Sequence, residues 1–128
     1  IYNGTWSEGM ASSIVCGIQA MLKENPDLIA VIIALCDQPF IHTEVFDGMV
    51  DAFIQSQKPI IQCRYSDDTF GPPTLFHQSL FSSLLNLKGL TGAKSVVKMY
   101  ESEVEFVHFK NGHIDVDTPE QYQLLCSL

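Results

Sequence analysis

The chain has 128 residues, of which 15 are acidic and 7 are basic, so its formal charge at neutral pH is -8. This balance argues against nucleic acid and anionic membranes as partners, because both carry negative charge themselves. Hydrophobic residues make up 46% of the chain, as in an ordinary globular protein. The sequence has neither a run of the ~18 apolar residues that a transmembrane helix needs nor a signal-peptide pattern. These features predict one globular, cytoplasmic domain over residues 1–128.

The first half of the chain alternates helical and strand patterns. Apolar residues recur at helical spacing over residues 11–22, and that helix ends before Pro26. The continuous apolar run 28–35 predicts a central strand covered on both faces. Thr43 is then predicted to cap a second helix, whose apolar face continues to residue 54.

The second half continues this alternation. We predict strands at 59–64 and 104–109, a short extended piece at 74–76, helices at 79–87 and 92–100, and a loop at 67–73. A final helix begins with Thr118 as cap, Pro119 at the first position and Gln121 closing a capping box, and its packed face is predicted to carry Tyr122, Leu125 and Cys126. The pattern predicts an α/β fold with a mostly parallel sheet in a three-layer sandwich.

The cysteine and histidine positions argue against a zinc site or a disulfide framework. The cysteines are Cys16, Cys36, Cys63 and Cys126, and no two of them form a C-x-x-C pair. We predict that they are free and mostly buried. The four histidines also lack metal-ligand spacing.

Asp37 stands just after the predicted strand 28–35. In open α/β sheets, ligands bind outside the carboxyl ends of strands, where a carboxylate can hold a divalent cation and the phosphates that it bridges. Asp37 also precedes Pro39, so it can instead simply stabilise the turn. Both roles remain open from the residues alone.

Asp115 and Asp117 lie just before the final helix. Asp117 serves as a second cation ligand if the fold brings it to Asp37. Alternatively, Asp115 and Asp117 form a local pair or are solvated loop residues.

Two further segments offer backbone groups to a ligand. Small and hydroxyl-bearing residues open the first helix at 9–13, a start that either caps the helix or faces an anion or nucleotide edge. Gly71-Pro72-Pro73 reads as a rigid turn, which can also let a ligand approach the backbone. Ser-His-Asp, Cys-His, G-x-G-x-x-G and Walker patterns are not found.

Five segments in order carry a resemblance to a known family: W-S-E-G-M-A-S-S, L-C-D-Q-P-F, G-P-P-T-L-F, G-L-T-G-A-K-S-V-V and D-V-D-T-P-E-Q-Y. Together they resemble the molybdenum cofactor cytidylyltransferases, which belong with the molybdopterin guanylyltransferases among the MobA-like NTP transferases. The resemblance runs from Asn3 to about Leu124. It implies a Rossmann-like glycosyltransferase-A fold.

The resemblance implies a Mg²⁺-dependent enzyme that transfers CMP, or less favourably GMP, from CTP or GTP to molybdopterin and releases pyrophosphate. A molybdenum hydroxylase apoenzyme is an implied partner. Asp37 matches the catalytic Mg²⁺ ligand and Asp117 the second ligand. The implied substrate contacts are Gly9, Met10, Ser12 and Ser13 for the nucleotide, and Gly71 and Pro72 for the pterin side.

The chain departs from the family pattern in two places. A G-H-P turn is replaced by Gly71-Pro72-Pro73, and the glycine-rich segment L-A-A-G-x-S-x-R-M-G is not found. We therefore expect the C-terminal two-thirds of such an enzyme, inactive by itself. Alternatives are a degenerate protein that binds or delivers the cofactor for molybdenum enzymes, and a nucleotidyltransferase acting on a sugar phosphate.

Overall fold

The computed structural model describes residues 1–128, which form five α-helices and four β-strands. The helices are α1 (Met10–Glu24), α2 (Thr43–Ser56), α3 (Phe81–Leu85), α4 (Lys94–Met99) and α5 (Pro119–Cys126). The strands are β1 (Ala30–Ile33), β2 (Ile60–Arg64), β3 (Phe70–His77) and β4 (Val104–His108). None of the helices combines the length and apolar composition that crossing a bilayer requires.

The four strands form one sheet in the order β1-β3-β2-β4. β3 is antiparallel to both β1 and β2, whereas β2 and β4 are parallel. Three strands therefore share one direction and only β3 is reversed. The short connection between β2 and β3 explains the reversal, because a parallel pairing needs a crossover of a dozen or more residues.

Helices cover both faces of the sheet, as the predicted three-layer arrangement requires. On one face, Ile60 and Phe76 pack in a buried cluster with residues of α1, α3 and α4. On the other face, Ile61 and Leu75 pack against α2 and Phe109. Neighbouring residues of one strand enter opposite clusters because side chains alternate across a sheet. The predicted α/β, Rossmann-like fold class is confirmed.

Gly71-Pro72-Pro73 was predicted to lie in a loop but belongs to β3. The register between β2 and β3 shifts here: Gln62 pairs with Thr74, while the next residue of β2 pairs with Gly71. The two prolines thus form a bulge. Proline has no N–H to donate to the ladder. Within a sheet it is therefore tolerated at a bulge, where the regular hydrogen bonding is interrupted. Composition alone therefore predicted the wrong element.

β1 is an edge strand in this sheet, so the prediction of a central strand is wrong. Both of its faces are covered, as predicted, because Val31 packs in the cluster on the α1 side while Ala30 and Ile32 pack against the cluster on the α2 side. Its only strand neighbour is β3. Val31 is its single buried residue, and the preceding Ile29 is 59% exposed. An apolar run in the sequence indicates a strand, but it does not indicate how many strands lie beside it in the sheet.

Three local predictions need correction. α2 begins at Thr43 with His42 in the cap position and without a side-chain capping bond, so Thr43 is not its cap. α5 has no buried residue, so the predicted packed face at Tyr122, Leu125 and Cys126 is wrong. All four cysteines are free, as predicted, but only Cys63 is buried.

The start of α5 shows the predicted capping box. The Thr118 hydroxyl oxygen accepts a hydrogen bond from the backbone N–H of Gln121 at 3.1 Å. In return, the side-chain oxygen Oε1 of Gln121 accepts from the backbone N–H groups of Thr118 at 3.1 Å and Asp117 at 2.7 Å. Because α5 buries no residue, packing does not hold its first turn in place, and this capping box does so instead. It also fixes the backbone of Asp117.

Replacing Thr118 by alanine is expected to destabilise α5 by about 1 kcal/mol through loss of the cap. Amide hydrogen exchange in residues 119–126 should then become faster, while exchange in the sheet stays unchanged. Thr43→Ala is the control, since Thr43 has no capping role. Equal α5 exchange rates in Thr118→Ala and wild type would contradict this prediction.

Candidate functional site

Asp37 lies in the turn that follows β1, at the carboxyl end of the strand as predicted. The residue is partly buried, and its Oδ1 atom is fully buried without a hydrogen-bond partner. A buried carboxylate oxygen without a partner is costly, because water no longer solvates it. Asp37 therefore offers a lone pair that nothing in the protein satisfies.

The segment between β4 and α5 brings two more carboxylates to Asp37. The amide nitrogen of Val116 donates to the Asp37 carbonyl oxygen at 2.9 Å. Asp115 and Asp117 are the chain neighbours of Val116. One carboxylate oxygen from each of Asp37, Asp115 and Asp117 lies within 4.8 Å of the others. The structure thus brings Asp117 to Asp37, which is the predicted pair across the fold. It also places Asp115 beside Asp117, which is the alternative local pair.

The clustered charges disturb the titration of Asp117. Its pKa is raised, first by the negative charge of Asp115, then by partial desolvation, and then by the charge of Asp37. Three carboxylates this close repel one another at neutral pH. Carboxylate oxygens are the ligands that Mg²⁺, Mn²⁺ and Ca²⁺ prefer, so the donor set and the unpartnered Oδ1 of Asp37 fit a divalent cation.

The raised pKa of Asp117 predicts a pH dependence of stability in metal-free protein. A folded-state pKa above the ordinary 3.8 means that the folded state binds the proton more tightly. The contribution of this group is therefore complete below pH ~3.8 and is lost as the pH rises through the folded-state pKa. The free energy of unfolding is measured by urea titration in EDTA. Relative to wild type, Asp117→Asn should become more stable as the pH rises above about 4. A difference in unfolding free energy that stays constant with pH would contradict this prediction.

Two buried polar side chains beneath the acidic cluster were missed by the sequence analysis. Gln38 is 5% exposed and Tyr65 is 7% exposed. Burial raises the pKa of Tyr65 to about 12, so its hydroxyl stays protonated and donates to the carbonyl oxygen of Pro72. The only sequence signal was the position of Gln38 next to Asp37, because buried polar residues show no periodicity.

The predicted nucleotide-binding residues lie at the start of α1. Gly9 has φ 115°, and an added Cβ there would come within 2.5 Å of the Gly89 carbonyl oxygen, so only glycine fits. Asn3 donates to the hydroxyls of Ser12 at 3.0 Å and Ser13 at 3.1 Å. Ser12 also lines an open cavity of about 660 Å³.

A second cavity, of about 320 Å³, brings Met10 together with Gly71 and Pro72. It lies between the start of α1, the bulge of β3 and α4, and Lys94 supplies a positive charge. Its lining is mainly apolar with a few polar groups, which is typical of small-molecule sites. The Pro72 carbonyl accepts from Gln38 Nε2 at 2.9 Å, so this cavity adjoins the turn that carries Asp37.

Comparisons with known proteins give a family and a fold. A family model described as MobA-like NTP transferase domain matches residues 1–104. A search of curated proteins gave no match. Similar solved structures include Rv0371c from Mycobacterium tuberculosis H37Rv, which is 25% identical with a TM-score of 0.72 over 92% of this chain and 60% of that chain.

Two further structures resemble this fold. The same M. tuberculosis protein, described as a complex with manganese, is 24% identical with a TM-score of 0.71, over 91% of this chain and 60% of that chain. The Rv0371c homologue from Mycobacterium sp. strain JC1 is 20% identical with a TM-score of 0.74, over 93% of this chain and 57% of that one. The chain thus spans about three-fifths of the length of these proteins.

Proposed function

Because the chain belongs to the MobA-like NTP transferase family, we propose that it forms part of a nucleotidyltransferase that transfers CMP, or less favourably GMP, from CTP or GTP to molybdopterin. The acidic cluster of Asp37, Asp115 and Asp117 carries this proposal. Nucleotidyl transfer needs positive charge at the phosphates, and this chain has a formal charge of -8. A divalent cation on the cluster would supply that charge.

We propose Mg²⁺ as the cation, with Asp37 and Asp117 as its ligands and Asp115 beside them. The unpartnered Oδ1 of Asp37 supports this assignment. The manganese complex of M. tuberculosis Rv0371c, which shares the fold, is consistent with it. Bound at the cluster, the cation would neutralise charge on the nucleotide phosphates.

In this proposal the chain acts by positioning its two substrates. Gly9, Met10, Ser12 and Ser13 at the start of α1 contact the nucleotide. The pterin side lies against Gly71 and Pro72 in the cavity of about 320 Å³, where Lys94 attracts the acceptor phosphate. An acceptor phosphate oxygen attacks the α-phosphate, a new P–O bond forms, and the bond to the β-phosphate breaks as pyrophosphate leaves. Orientation and electrostatics supply most of the acceleration.

The test is calorimetric titration of CTP and GTP, each with Mg²⁺, into the full-length product of the gene that encodes this chain. CTP is expected to bind more tightly than GTP, and pyrophosphate release should require both molybdopterin and Mg²⁺. ATP and excess EDTA are the controls. Binding of neither CTP nor GTP would rule the proposal out.

The alternative is a protein that binds molybdopterin and delivers it to a molybdenum hydroxylase apoenzyme without nucleotidyl transfer. Gly71-Pro72-Pro73 in place of G-H-P favours this alternative. It predicts molybdopterin binding without pyrophosphate release. Release of pyrophosphate with a sugar 1-phosphate as acceptor would instead indicate a sugar nucleotidyltransferase.

A further inference from the structure

The side-chain amide of Gln38 connects three segments of the chain beneath the acidic cluster. Its Nε2 lies 2.9 Å from the carbonyl oxygens of both Pro72 and Gly112, and 3.3 Å from the Tyr65 hydroxyl. An amide nitrogen has two hydrogens, and the two carbonyls accept them. These acceptors also fix the orientation of the amide, whose Oε1 is buried without a partner.

The connected segments are those that carry the proposed metal ligands and border the cavity. Gln38 directly follows Asp37 in the turn after β1. Gly112 belongs to the segment that continues to Asp115 and Asp117. Pro72 lies in the bulge of β3, where the Tyr65 hydroxyl gives its carbonyl a second donor. The amide thus links the turn of Asp37 to the segment that carries the other two aspartates.

We propose that Gln38 is a positioning residue whose amide holds Asp37 against Asp115 and Asp117, so that Asp37 and Asp117 can bind one divalent cation with Asp115 beside them. The role rests on the proposed function, because it assumes a cation at this cluster. Without the cation the carboxylates repel one another, so something else must hold their segments together. The backbone bond from Val116 to Asp37 does part of this, and the buried amide does the rest.

The chemistry of the side chain explains why an amide stands here. A glutamate would place a negative charge against two carbonyl oxygens and beside Asp37, and it would lack the donor hydrogens. A lysine would pair with the aspartates and compete with a cation. Glutamine donates twice without adding charge, so it leaves the carboxylates free for a metal ion.

The experiment titrates Mn²⁺ alone into the full-length product of the gene that encodes this chain and measures free Mn²⁺ by electron paramagnetic resonance. Gln38→Met keeps the length of the side chain but removes both hydrogen bonds. Its dissociation constant for Mn²⁺ is expected to rise about 10- to 100-fold, the effect usually seen when an outer-shell partner of a metal site is lost. Val96→Ala is the control, because Val96 is buried in the cluster on the opposite face from Tyr65. It should lower stability without changing Mn²⁺ affinity.

The outcomes separate this proposal from the proposed function. Failure of the wild type to bind Mn²⁺ would overturn the metal site and the role of Gln38 with it. Binding of equal strength by wild type and Gln38→Met would overturn the role of Gln38 alone. Should Gln38→Met fail to fold, Gln38→Asn decides: it keeps the polar amide, but the side chain is one CH₂ shorter and no longer reaches the carbonyl oxygens of both Pro72 and Gly112. A raised dissociation constant supports the proposal, and an unchanged one overturns it.

Discussion

Asp37→Asn is expected to weaken Mn²⁺ binding at least about 100-fold, because it removes the charge of the proposed direct ligand, whereas loss of an outer-shell partner already costs about 10- to 100-fold. The same substitution should make the metal-free protein more stable. It removes one of three mutually repelling carboxylates. Weaker metal binding together with greater stability without metal is a combination that a merely disruptive substitution does not produce.

Mn²⁺ titration followed by electron paramagnetic resonance, and urea unfolding in EDTA, measure the two effects. Asp47→Asn is the matched control, because it makes the same charge change at an exposed position on α2. It should leave both quantities near their wild-type values. In the intact enzyme, Asp37→Ala should abolish metal-dependent turnover. Wild-type Mn²⁺ affinity in Asp37→Asn would exclude Asp37 as a ligand.

The position of Asp37 could be predicted from sequence because its causes are local. An apolar run followed by Asp-Gln-Pro specifies a strand and the turn after it. The capping box at Thr118 is local in the same sense and was also predicted correctly. The meeting of Asp37 with Asp115 and Asp117 depends instead on a backbone bond between residues 79 positions apart, Asp37 and Val116. No spacing rule predicts such a contact.

Other features escaped prediction because tertiary context decides them. Two prolines and a glycine indicate a loop, yet a bulge lets β3 include them. The burial of Gln38 depends on Gly112, which lies 74 residues further along the chain. A single sequence carries no sign of such a contact. The capped start of α5 was predicted but its exposure was not, since amphipathic spacing does not show whether a surface is available for packing.

The close contact between Gly112 and the ring of Tyr65 predicts a second large effect. A Cβ added at Gly112 would overlap the ring atoms of Tyr65 and crowd Phe109. Both rings belong to the buried cluster beneath α2, so neither can move freely. Gly112→Ala is therefore expected to cost about 1–3 kcal/mol of stability through overpacking. The shift should also disturb the Gln38 and Tyr65 hydrogen bonds to this region, and so weaken Mn²⁺ binding.

The matched control is Gly17→Ala in α1, because a Cβ there meets no atom within 4 Å. Alanine favours a helix over glycine, so Gly17→Ala should raise stability by about 0.5–1 kcal/mol and leave Mn²⁺ binding unchanged. The same chemical change thus has opposite effects at two positions, and only one of them reaches the acidic cluster. Urea unfolding and Mn²⁺ titration of both variants test this. Equal stability of Gly112→Ala and wild type would mean that Tyr65 can move aside, and the ring would then not fix the segment leading to Asp115 and Asp117.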